Sequence, residues 1–246
     1  MRILLTLCLA AVAYFAPAVL AATGKELLND AIEREKQLRA QDLARASKTQ
    51  LRASVIELYS GAIASGQLER RDRNNALVRR ARLYADDKNC ALAIRDLSDA
   101  IDSSYRSSLA YALRAFCYRE VGSLEPARKD LDSSIALNPK DPILFRERAT
   151  ILIAQKKYEN AEKDISASMK ALRPAVSADL YVMRGDVAFA QEKYERAIAN
   201  YVQAIHVTKE NVKKLKLSGP VVYLAPIYEK LASTYQALSR ANAQGK

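Results

Sequence analysis

The chain has 246 residues, half of them apolar, and its 39 Lys and Arg against 28 Asp and Glu give a formal net charge of +11. Seven glycines spread singly and seven prolines indicate a helix-rich chain without a low-complexity linker or a glycine-rich phosphate loop. The single histidine argues against a histidine-based metal cluster and against Ser-His or Cys-His catalysis. We therefore expect no enzyme activity, no metal and no cofactor.

The first 21 residues have the pattern of a secretory signal peptide. Arg2 makes a short basic start, residues 3–15 are apolar, and residues 19–21 offer a small-residue cleavage pattern. We predict an exported protein, periplasmic or secreted. The alternative is an uncleaved anchor, because residues 3–22 include about 20 mostly apolar positions and could span a bilayer. Since no second hydrophobic run follows, no transmembrane segment is expected in the mature chain.

Residues 22–73 are predicted to form N-terminal helices that include a degenerate capping repeat. Thr23 and Glu26 fit a capping box that starts a helix ending near Ala46. The apolar stripe of this helix is narrow, so we expect it to pack loosely. Residues 54–63 fit the second helix of a leading repeat, with apolar residues in the expected slots: Val55, Tyr59, Ala62 and Ile63.

Residues 109–142 form one complete predicted helical hairpin, and the rest of the chain repeats its pattern. Its turn lies at Gly122, Pro126 stands where a first-turn proline is tolerated, and Asn138 with Pro139 ends the second helix. Small residues open the second helices at intervals of 34, 34 and 36 residues: Ala93, Ala127, Ala161 and Ala197. The first helices carry a large slot at Leu77, Tyr111, Phe145 and Tyr181 and a small slot four residues later at Ala81, Ala115, Ala149 and Gly185.

A two-helix unit of about 34 residues with these slots resembles the tetratricopeptide repeat. The resemblance implies an all-α fold, a right-handed superhelical solenoid of helix-turn-helix repeats. Four repeats within residues 74–207 have approximate bounds 74–107, 108–141, 142–177 and 178–211. A closing cap helix is predicted in residues 208–246, where the first-helix pattern returns once more at Tyr228, Leu231, Ala232 and Tyr235.

An arginine precedes each small slot, and an acidic or amide residue follows sixteen positions later. The pairs are Arg80 with Asp96, Arg114 with Asp130, Arg148 with Asp164 and Arg184 with Asn200. The constant spacing favours a structural pair that ties the two helices of a repeat together. The alternative is an arginine ladder that binds an anionic ligand, but such a ladder would not need the matched acids.

Three smaller features concern the cysteines, the histidine and a basic run near the C-terminus. Cys90 and Cys117 can be neighbours in an antiparallel helical stack, so a disulfide is possible in an oxidising compartment; two buried free thiols are the alternative. His206 stands near the predicted end of a second helix and is expected to cap it. The basic run at residues 209–216 is interpreted as a solvated helix end.

In the family that the repeat resembles, the first helices line a concave groove that receives peptides or partner segments. The resemblance places eight residues of this chain there: Asn75, Val78, Arg82, Phe116, Arg119, Arg146, Asp186 and Phe189. Aromatic rings and arginines together suit an extended acidic or amphipathic segment. The predicted function is an exported, non-catalytic protein-protein interaction module, a scaffold or adaptor in cell-envelope assembly with a protein or peptide partner.

The net charge supports a competing hypothesis. A balance of +11 favours anionic partners, so the protein could be a basic, envelope-associated protein that binds polyanions or a membrane surface through its outer faces. Nucleic acid is not expected, because the chain is predicted to be exported and lacks aromatic residues interleaved for base stacking. Salt dependence separates the two hypotheses.

Overall fold

A computed structural model describes residues 22–40, 45–216 and 220–244 of the chain. Eleven α-helices and no strand are found in these ranges. The predicted signal peptide, residues 1–21, lies outside the described residues. The helices form two compact units, one that ends at Gly122 and one that begins at Ser123.

The first unit contains five helices in which each helix packs on the next. They are α1 (Gly24–Ala40), α2 (Arg45–Ala64), α3 (Arg70–Asp86), α4 (Cys90–Asp102) and α5 (Ser108–Glu120). Helix α5 also contacts α3. One apolar cluster joins α1, α2 and α3, and a second joins α3, α4 and α5.

Helix α1 begins at the predicted capping box. The Thr23 amide donates to Glu26 Oε2 at 2.7 Å, and the Glu26 amide donates to Thr23 Oγ1 at 3.3 Å. The helix is described as far as Ala40, and a new helix begins at Arg45, so the prediction that one helix continues to about Ala46 is wrong. The expectation of loose packing is wrong, because Leu27, Leu28 and Leu38 are buried against α2.

The second unit contains six helices. They are α6 (Leu124–Leu137), α7 (Pro142–Ala154), α8 (Tyr158–Ala171), α9 (Ala178–Ala190), α10 (Tyr194–Lys214) and α11 (Pro220–Ala243). Consecutive helices again pack on each other. One apolar cluster joins α7, α8 and α9, and another joins α9, α10 and α11.

The small slots that follow the repeat period are buried in the structure. All four residues that open the second helices are completely inaccessible: Ala93, Ala127, Ala161 and Ala197. The small slot of each first helix allows its second helix to approach closely. At Gly185 an added Cβ would lie 2.5 Å from Tyr201 Cε1, so only glycine admits that ring without a shift. The predicted small slots are therefore confirmed, whereas in the large slots Leu77 is buried and Tyr111, Phe145 and Tyr181 are half-buried.

The turns inside the hairpins share one left-handed residue. Lys88, Gly122, Lys156 and Glu192 have φ angles of 60°, 79°, 58° and 59° and follow one another at the repeat intervals of 34, 34 and 36 residues. After Lys156, for example, the amide of Lys157 donates to the Leu152 carbonyl at 2.8 Å and closes the helix end. Only Gly122 adopts this conformation without a steric cost.

The C-terminal helices differ from two expectations. Helix α10 continues to Lys214, so His206 lies inside it and is exposed; the prediction that His206 caps a helix end is wrong. The basic run does form a solvated helix end, since Lys209, Lys213 and Lys214 are exposed. Helix α11 buries Leu224 and Ile227 and leaves Tyr228 and Tyr235 about half exposed.

Candidate functional site

The repeated arginines tie the helices of each hairpin together. Arg80 donates to Asp96 from Nε at 2.7 Å and from Nη2 at 2.9 Å, and Arg148 donates to Asp164 at 2.7 and 2.8 Å in the same way. Arg184 donates from Nε to Asn200 Oδ1 at 2.6 Å. These contacts confirm the structural pairing for three of the four pairs. Two parallel charge-assisted bonds are the strongest form of such a pair.

The same guanidinium groups also reach the preceding second helix and a nearby ring. Arg80 donates to Ser60 Oγ at 2.9 Å, and Arg148 donates to Asp132 Oδ1 at 2.7 Å. The hydrogen bond with Asp164 is the main reason that the pKa of Arg148 is raised. Arg184 lies 5.6 Å from the centre of the Tyr181 ring. Because these groups are already engaged, they do not form an anion-binding ladder.

A cavity of about 210 Å³ lies in the first unit at the predicted groove positions of α3. Asn75, Val78 and Arg82 all line it, so the structure brings three predicted site residues together. Arg82 is exposed and makes no ion pair with any described residue. Val78 is buried and forms part of the wall rather than an exposed contact. Tyr105 donates from its hydroxyl to Asn75 Oδ1 at 2.5 Å and fixes that amide.

Sequence reasoning missed the other residues of this cavity. Leu109 and Leu113 from α5 add an apolar wall, and Arg39 and Arg79 add two more guanidinium groups. Arg39 belongs to α1, outside the repeat period, so no spacing pointed to it. The lining contains three arginines and no carboxylate. This combination suits a ligand that carries both a negative charge and an apolar side chain.

Glu35, a buried carboxylate behind the cavity, holds two of these arginines. Its side chain is 2% exposed and accepts a hydrogen bond from the Tyr59 hydroxyl at 2.6 Å and one from Arg79 Nη1 at 2.9 Å. Arg39 pairs with its other oxygen. Burial raises the pKa of Glu35, but the hydrogen bonds from Tyr59 and Arg79 outweigh it and the pKa is lowered. Glu35 therefore fixes Arg39 and Arg79 in place.

A second cavity of about 370 Å³ shares Arg39 and Arg82 with the first. It adds two cations, Lys48 and Arg52, and two carboxylates, Glu35 and Asp86, and Arg52 itself pairs with Asp87. The lining of the second cavity is therefore mixed in charge, with four cations and two carboxylates. An extended acidic segment could contact both, because neighbouring cavities are connected by shared side chains. We call these two cavities together the first-unit groove.

Phe116 and Arg119 form a separate contact on α5. The Arg119 guanidinium lies 5.3 Å from the centre of the Phe116 ring, and Phe116 is 38% exposed. Arg119 also pairs with Glu120 at 3.2 Å. The exposed face of the ring is available for an apolar side chain, whereas the charge of Arg119 is partly neutralised.

The three predicted site residues of the second unit already have partners inside the chain. Arg146 pairs with Glu147 at 3.1 Å and with Asp179 at 3.4 Å. Asp186 accepts hydrogen bonds from Tyr201 and from Lys230 of α11, each at 2.7 Å. The Phe189 ring packs edge-on against the Tyr194 ring, with the ring centres 5.7 Å apart. Their groove role stays a prediction.

Cys90 and Cys117 are buried free thiols in the structure. Burial is the main reason that the pKa of Cys117 rises to about 12, and a hydrogen bond with Cys90 adds to it. Both thiols belong to the apolar cluster that joins α3, α4 and α5. The disulfide between them stays a prediction.

The described residues form neither a metal-binding cluster nor a membrane-spanning helix. Within the described ranges, His, Cys, Asp and Glu side chains form no group of three or more that could hold a metal ion. None of the helices at 24–40, 45–214 and 220–243 combines the length and the apolar content that crossing a bilayer requires.

Comparisons with known proteins point to one repeat family. The family model of the tetratricopeptide repeat matches residues 178–211. Human tetratricopeptide repeat protein 13 is 28% identical over 116 residues, which is 47% of this chain and 13% of that protein. The chain therefore spans a small part of this curated relative.

Solved structures show the same fold. MamA has a TM-score of 0.64 at 15% identity, with 79% of this chain and 98% of that chain covered. YrrB, described as a TPR protein with an unusual peptide-binding site, has a TM-score of 0.59 at 15% identity, with 70% and 87% covered. At these identities the likeness concerns the fold alone. The chain therefore has the all-α fold of tetratricopeptide-repeat proteins, and its residues 178–211 match the repeat of that family.

Proposed function

We propose that the protein is an exported, non-catalytic interaction module that binds an acidic, amphipathic segment of a partner protein in the first-unit groove. Proteins built from this repeat generally act as scaffolds for protein interactions. The observation that carries the proposal is the cavity with three guanidinium groups, an apolar wall and no carboxylate in its lining. The peptide-binding site described for YrrB, a protein of the same fold, supports a peptide as the ligand class.

In this proposal each part of the groove has its own role. Arg82, which is exposed and has no acidic partner among the described residues, would pair with a carboxylate of the segment. Leu109, 48% exposed, would contact its apolar side chain. Arg39 and Arg79 are paired with Glu35, so they would not act as free charges. They would orient the bound segment and add to the positive electrostatic potential of the groove. Because Glu35 keeps these side chains in place, less side-chain entropy would be lost on binding.

A peptide titration with matched variants tests the proposal. A labelled peptide that alternates Glu and Leu is titrated with wild-type protein, with Arg82→Glu and with Arg71→Glu, and fluorescence anisotropy is measured. Arg71 is a suitable control because it is exposed on the same helix and lies outside both cavities. We expect Arg82→Glu to weaken binding at least about tenfold, since a charge-assisted hydrogen bond contributes about 1.5–3 kcal/mol.

The control variant decides how the result is understood. Arg71→Glu makes the same change in net charge, so affinity that falls equally in both variants would contradict groove recognition. A peptide that alternates Lys and Leu should bind at least about tenfold more weakly than the acidic peptide. Equal binding of the two peptides would likewise count against the proposal.

Export is a second part of the proposal and rests on the sequence of residues 1–21. N-terminal sequencing of the protein after expression with its leader tests it. A mature chain that begins at Ala22 in the periplasmic or secreted fraction would support export. An intact Met1 in the membrane fraction would favour the anchor instead. A role in cell-envelope assembly depends on the partner that is identified.

A basic envelope-associated protein is the second candidate function. The net charge of +11 and the exposed lysines at the end of α10, Lys209, Lys213 and Lys214, favour it. Flotation with vesicles that contain phosphatidylglycerol, at low and at moderate salt, tests it. Binding that is lost with salt and is insensitive to Arg82→Glu would support surface association over groove recognition.

A further inference from the structure

The last two helices extend beyond the repeat at one end of the second unit. Helices α8 and α10 both begin three residues before their small slot, Ala161 and Ala197, but α8 has 14 residues and α10 has 21. Helix α11 begins eight residues before Tyr228, whereas α9 begins three residues before Tyr181, which has the same place in the first-helix pattern. The repeat therefore accounts for neither the last turns of α10 nor the first turn of α11.

The extra turns of the two helices form one projecting end. A connection of only five residues joins α10 to α11, so the two packed helices are antiparallel and the end of α10 lies beside the start of α11. At 1.5 Å per residue, the seven extra residues of α10 extend about 10 Å beyond a second helix of ordinary length. This end therefore projects from the rest of the hairpin packing in the second unit.

The projecting end carries the most exposed large apolar side chains among the described residues. Val222 and Leu215 are 75% and 64% exposed, and Tyr223 is 50% exposed. Leu224, the next residue of α11, is buried in the cluster that joins α9, α10 and α11. The hairpin is thus already packed, and the three exposed side chains remain available for a contact outside it. Apolar side chains that share one exposed end in this way mark an interaction site.

The same end is basic. Three exposed lysines lie there: Lys213, Lys214 and Lys216. From residue 211 to residue 228 the sequence contains these three lysines and no acidic residue. Asp179, in the first turn of α9, is paired with Arg146. The apolar side chains of the projecting end are therefore accompanied by an excess of positive charge.

We propose that the hairpin tip, formed by residues 213–216, Val222 and Tyr223, binds the surface of a membrane that contains anionic lipids. The lysines would contact the headgroups, Leu215 and Val222 would enter the boundary of the acyl chains, and Tyr223 would stay at the interface. A lipid surface fits both properties of the tip, because it offers anionic groups and an apolar interior together. A soluble polyanion would leave the three apolar side chains in water.

The proposal is independent of the first-unit groove and rests on the second candidate function, to which it gives a defined site. Each lysine close to an anionic membrane strengthens binding about fivefold, and salt weakens this attraction. Burial of Leu215 and Val222 is not screened by salt, so part of the binding should persist at moderate salt. Binding through the hairpin tip would therefore be less sensitive to salt than binding through exposed lysines alone.

Tryptophan reporters test the proposal, since the sequence contains no tryptophan of its own. Tyr223→Trp places the reporter at the hairpin tip, and Val202→Trp is the matched control, at a position of α10 that is 47% exposed and lies eleven residues before Lys213. Each full chain is mixed with vesicles of phosphatidylglycerol and phosphatidylcholine, and the tryptophan emission and its quenching by brominated lipid are measured. Attachment through residues 1–21 alone would leave the Tyr223→Trp emission unchanged, because the reporter responds to its own surroundings.

We expect the emission of Tyr223→Trp to move to shorter wavelength and to be quenched by brominated lipid, while that of Val202→Trp stays unchanged. Equal changes in the two reporters would overturn the proposal. So would the same emission shift with soluble polyphosphate in place of vesicles. Flotation of the protein with vesicles without a change in the Tyr223→Trp emission would keep surface association as a function but overturn the hairpin tip as its site.

Charge variants test the lysines of the tip. Lys213→Glu with Lys214→Glu, added to the Tyr223→Trp chain, should raise the lipid concentration at the half-maximal shift at least about tenfold. Lys163→Glu with Lys193→Glu makes the same change in net charge at exposed lysines in α8 and just before α10, and should change that concentration less than about threefold. Equal effects of the two pairs would contradict binding through the hairpin tip.

Discussion

Replacing Arg80 with leucine should destabilise the first unit strongly. Arg80 and Asp96 have side chains that are 11% and 1% exposed, and two hydrogen bonds of 2.7 and 2.9 Å join them. The substitution leaves the Asp96 carboxylate buried without these donors. Arg95 cannot replace them, because its Nε is 3.9 Å away and its side chain is 62% exposed.

The expected loss is about 3–5 kcal/mol, the usual cost of leaving one member of a buried pair alone. This is a large share of the roughly 5–15 kcal/mol that stabilises a typical domain. Replacing both Arg80 and Asp96 with leucine should recover most of the loss, because no uncompensated charge is then buried. The double variant therefore separates the cost of a stranded charge from the contribution of the pair itself.

Guanidinium chloride unfolding followed by circular dichroism gives the free energies of unfolding for the three variants. Arg34→Leu is the control, since Arg34 pairs with Asp30 at 3.2 Å on the surface and its loss should cost less than about 0.5 kcal/mol. The reasoning would be refuted by an Arg80→Leu protein within about 1 kcal/mol of wild type. A double variant as unstable as the single one would refute it too.

Three further predictions follow from the geometry. Lys156→Gly should stabilise the protein by about 0.5 kcal/mol or more, because Lys156 has a left-handed φ of 58° that glycine adopts without steric cost. Gly122→Lys should destabilise the protein for the same reason. Thermal unfolding measures both changes. The pKa of Glu35 is lowered in the folded state, so its stabilising contribution is complete above the unfolded pKa and is lost as pH falls through the folded pKa. In acid unfolding, wild type should therefore lose more stability below pH 4.5 than the Glu35→Gln variant does. Equal losses would contradict this prediction. Burial raises the pKa of Cys117 to about 12, so its thiol should react with iodoacetamide at pH 8 far more slowly in folded than in denatured protein. Mass spectrometry follows the reaction. Equal rates would contradict burial of the thiol.

The repeat period allowed much of the fold to be predicted from sequence. A slot such as Ala161 recurs because every second helix meets its first helix in the same way, and the same repetition placed Arg148 sixteen residues before Asp164. Patterns that repeat within one chain act as independent observations of one contact. They therefore predict burial and pairing without knowledge of the whole structure.

The first-unit groove was only partly predictable, because five of its fifteen lining residues come from outside the repeat period. Glu35 meets Arg79 across 44 residues and Tyr59 across 24, and nothing in a local pattern indicates either contact. Arg39 likewise reaches the cavity from α1, which has no copy elsewhere in the chain to align with. Contacts of this kind depend on how the leading hairpin packs against α3.

The second unit shows why a groove position does not guarantee a free side chain. The spacing identified Asp186 as a first-helix residue, but Lys230 of the closing helix pairs with it. Helix α11 repeats the first-helix pattern in its own sequence, but that pattern does not indicate which side chains of α9 it contacts. Its contact with Asp186 was therefore not predictable from the repeats. Similarly, His206 was expected at a helix end because earlier second helices are shorter than α10.

Photo-crosslinking from the groove tests the central claim most directly. A photoreactive phenylalanine analogue replaces Leu109, which lines the cavity and is 48% exposed, or Val202, which is 47% exposed and outside the cavity. Irradiation in an extract of the source cells should then yield one defined adduct from position 109, absent when Arg82→Glu is added, and none from position 202. Equal adducts from both positions, or an adduct at position 109 that survives Arg82→Glu, would contradict recognition of a partner segment in the first-unit groove.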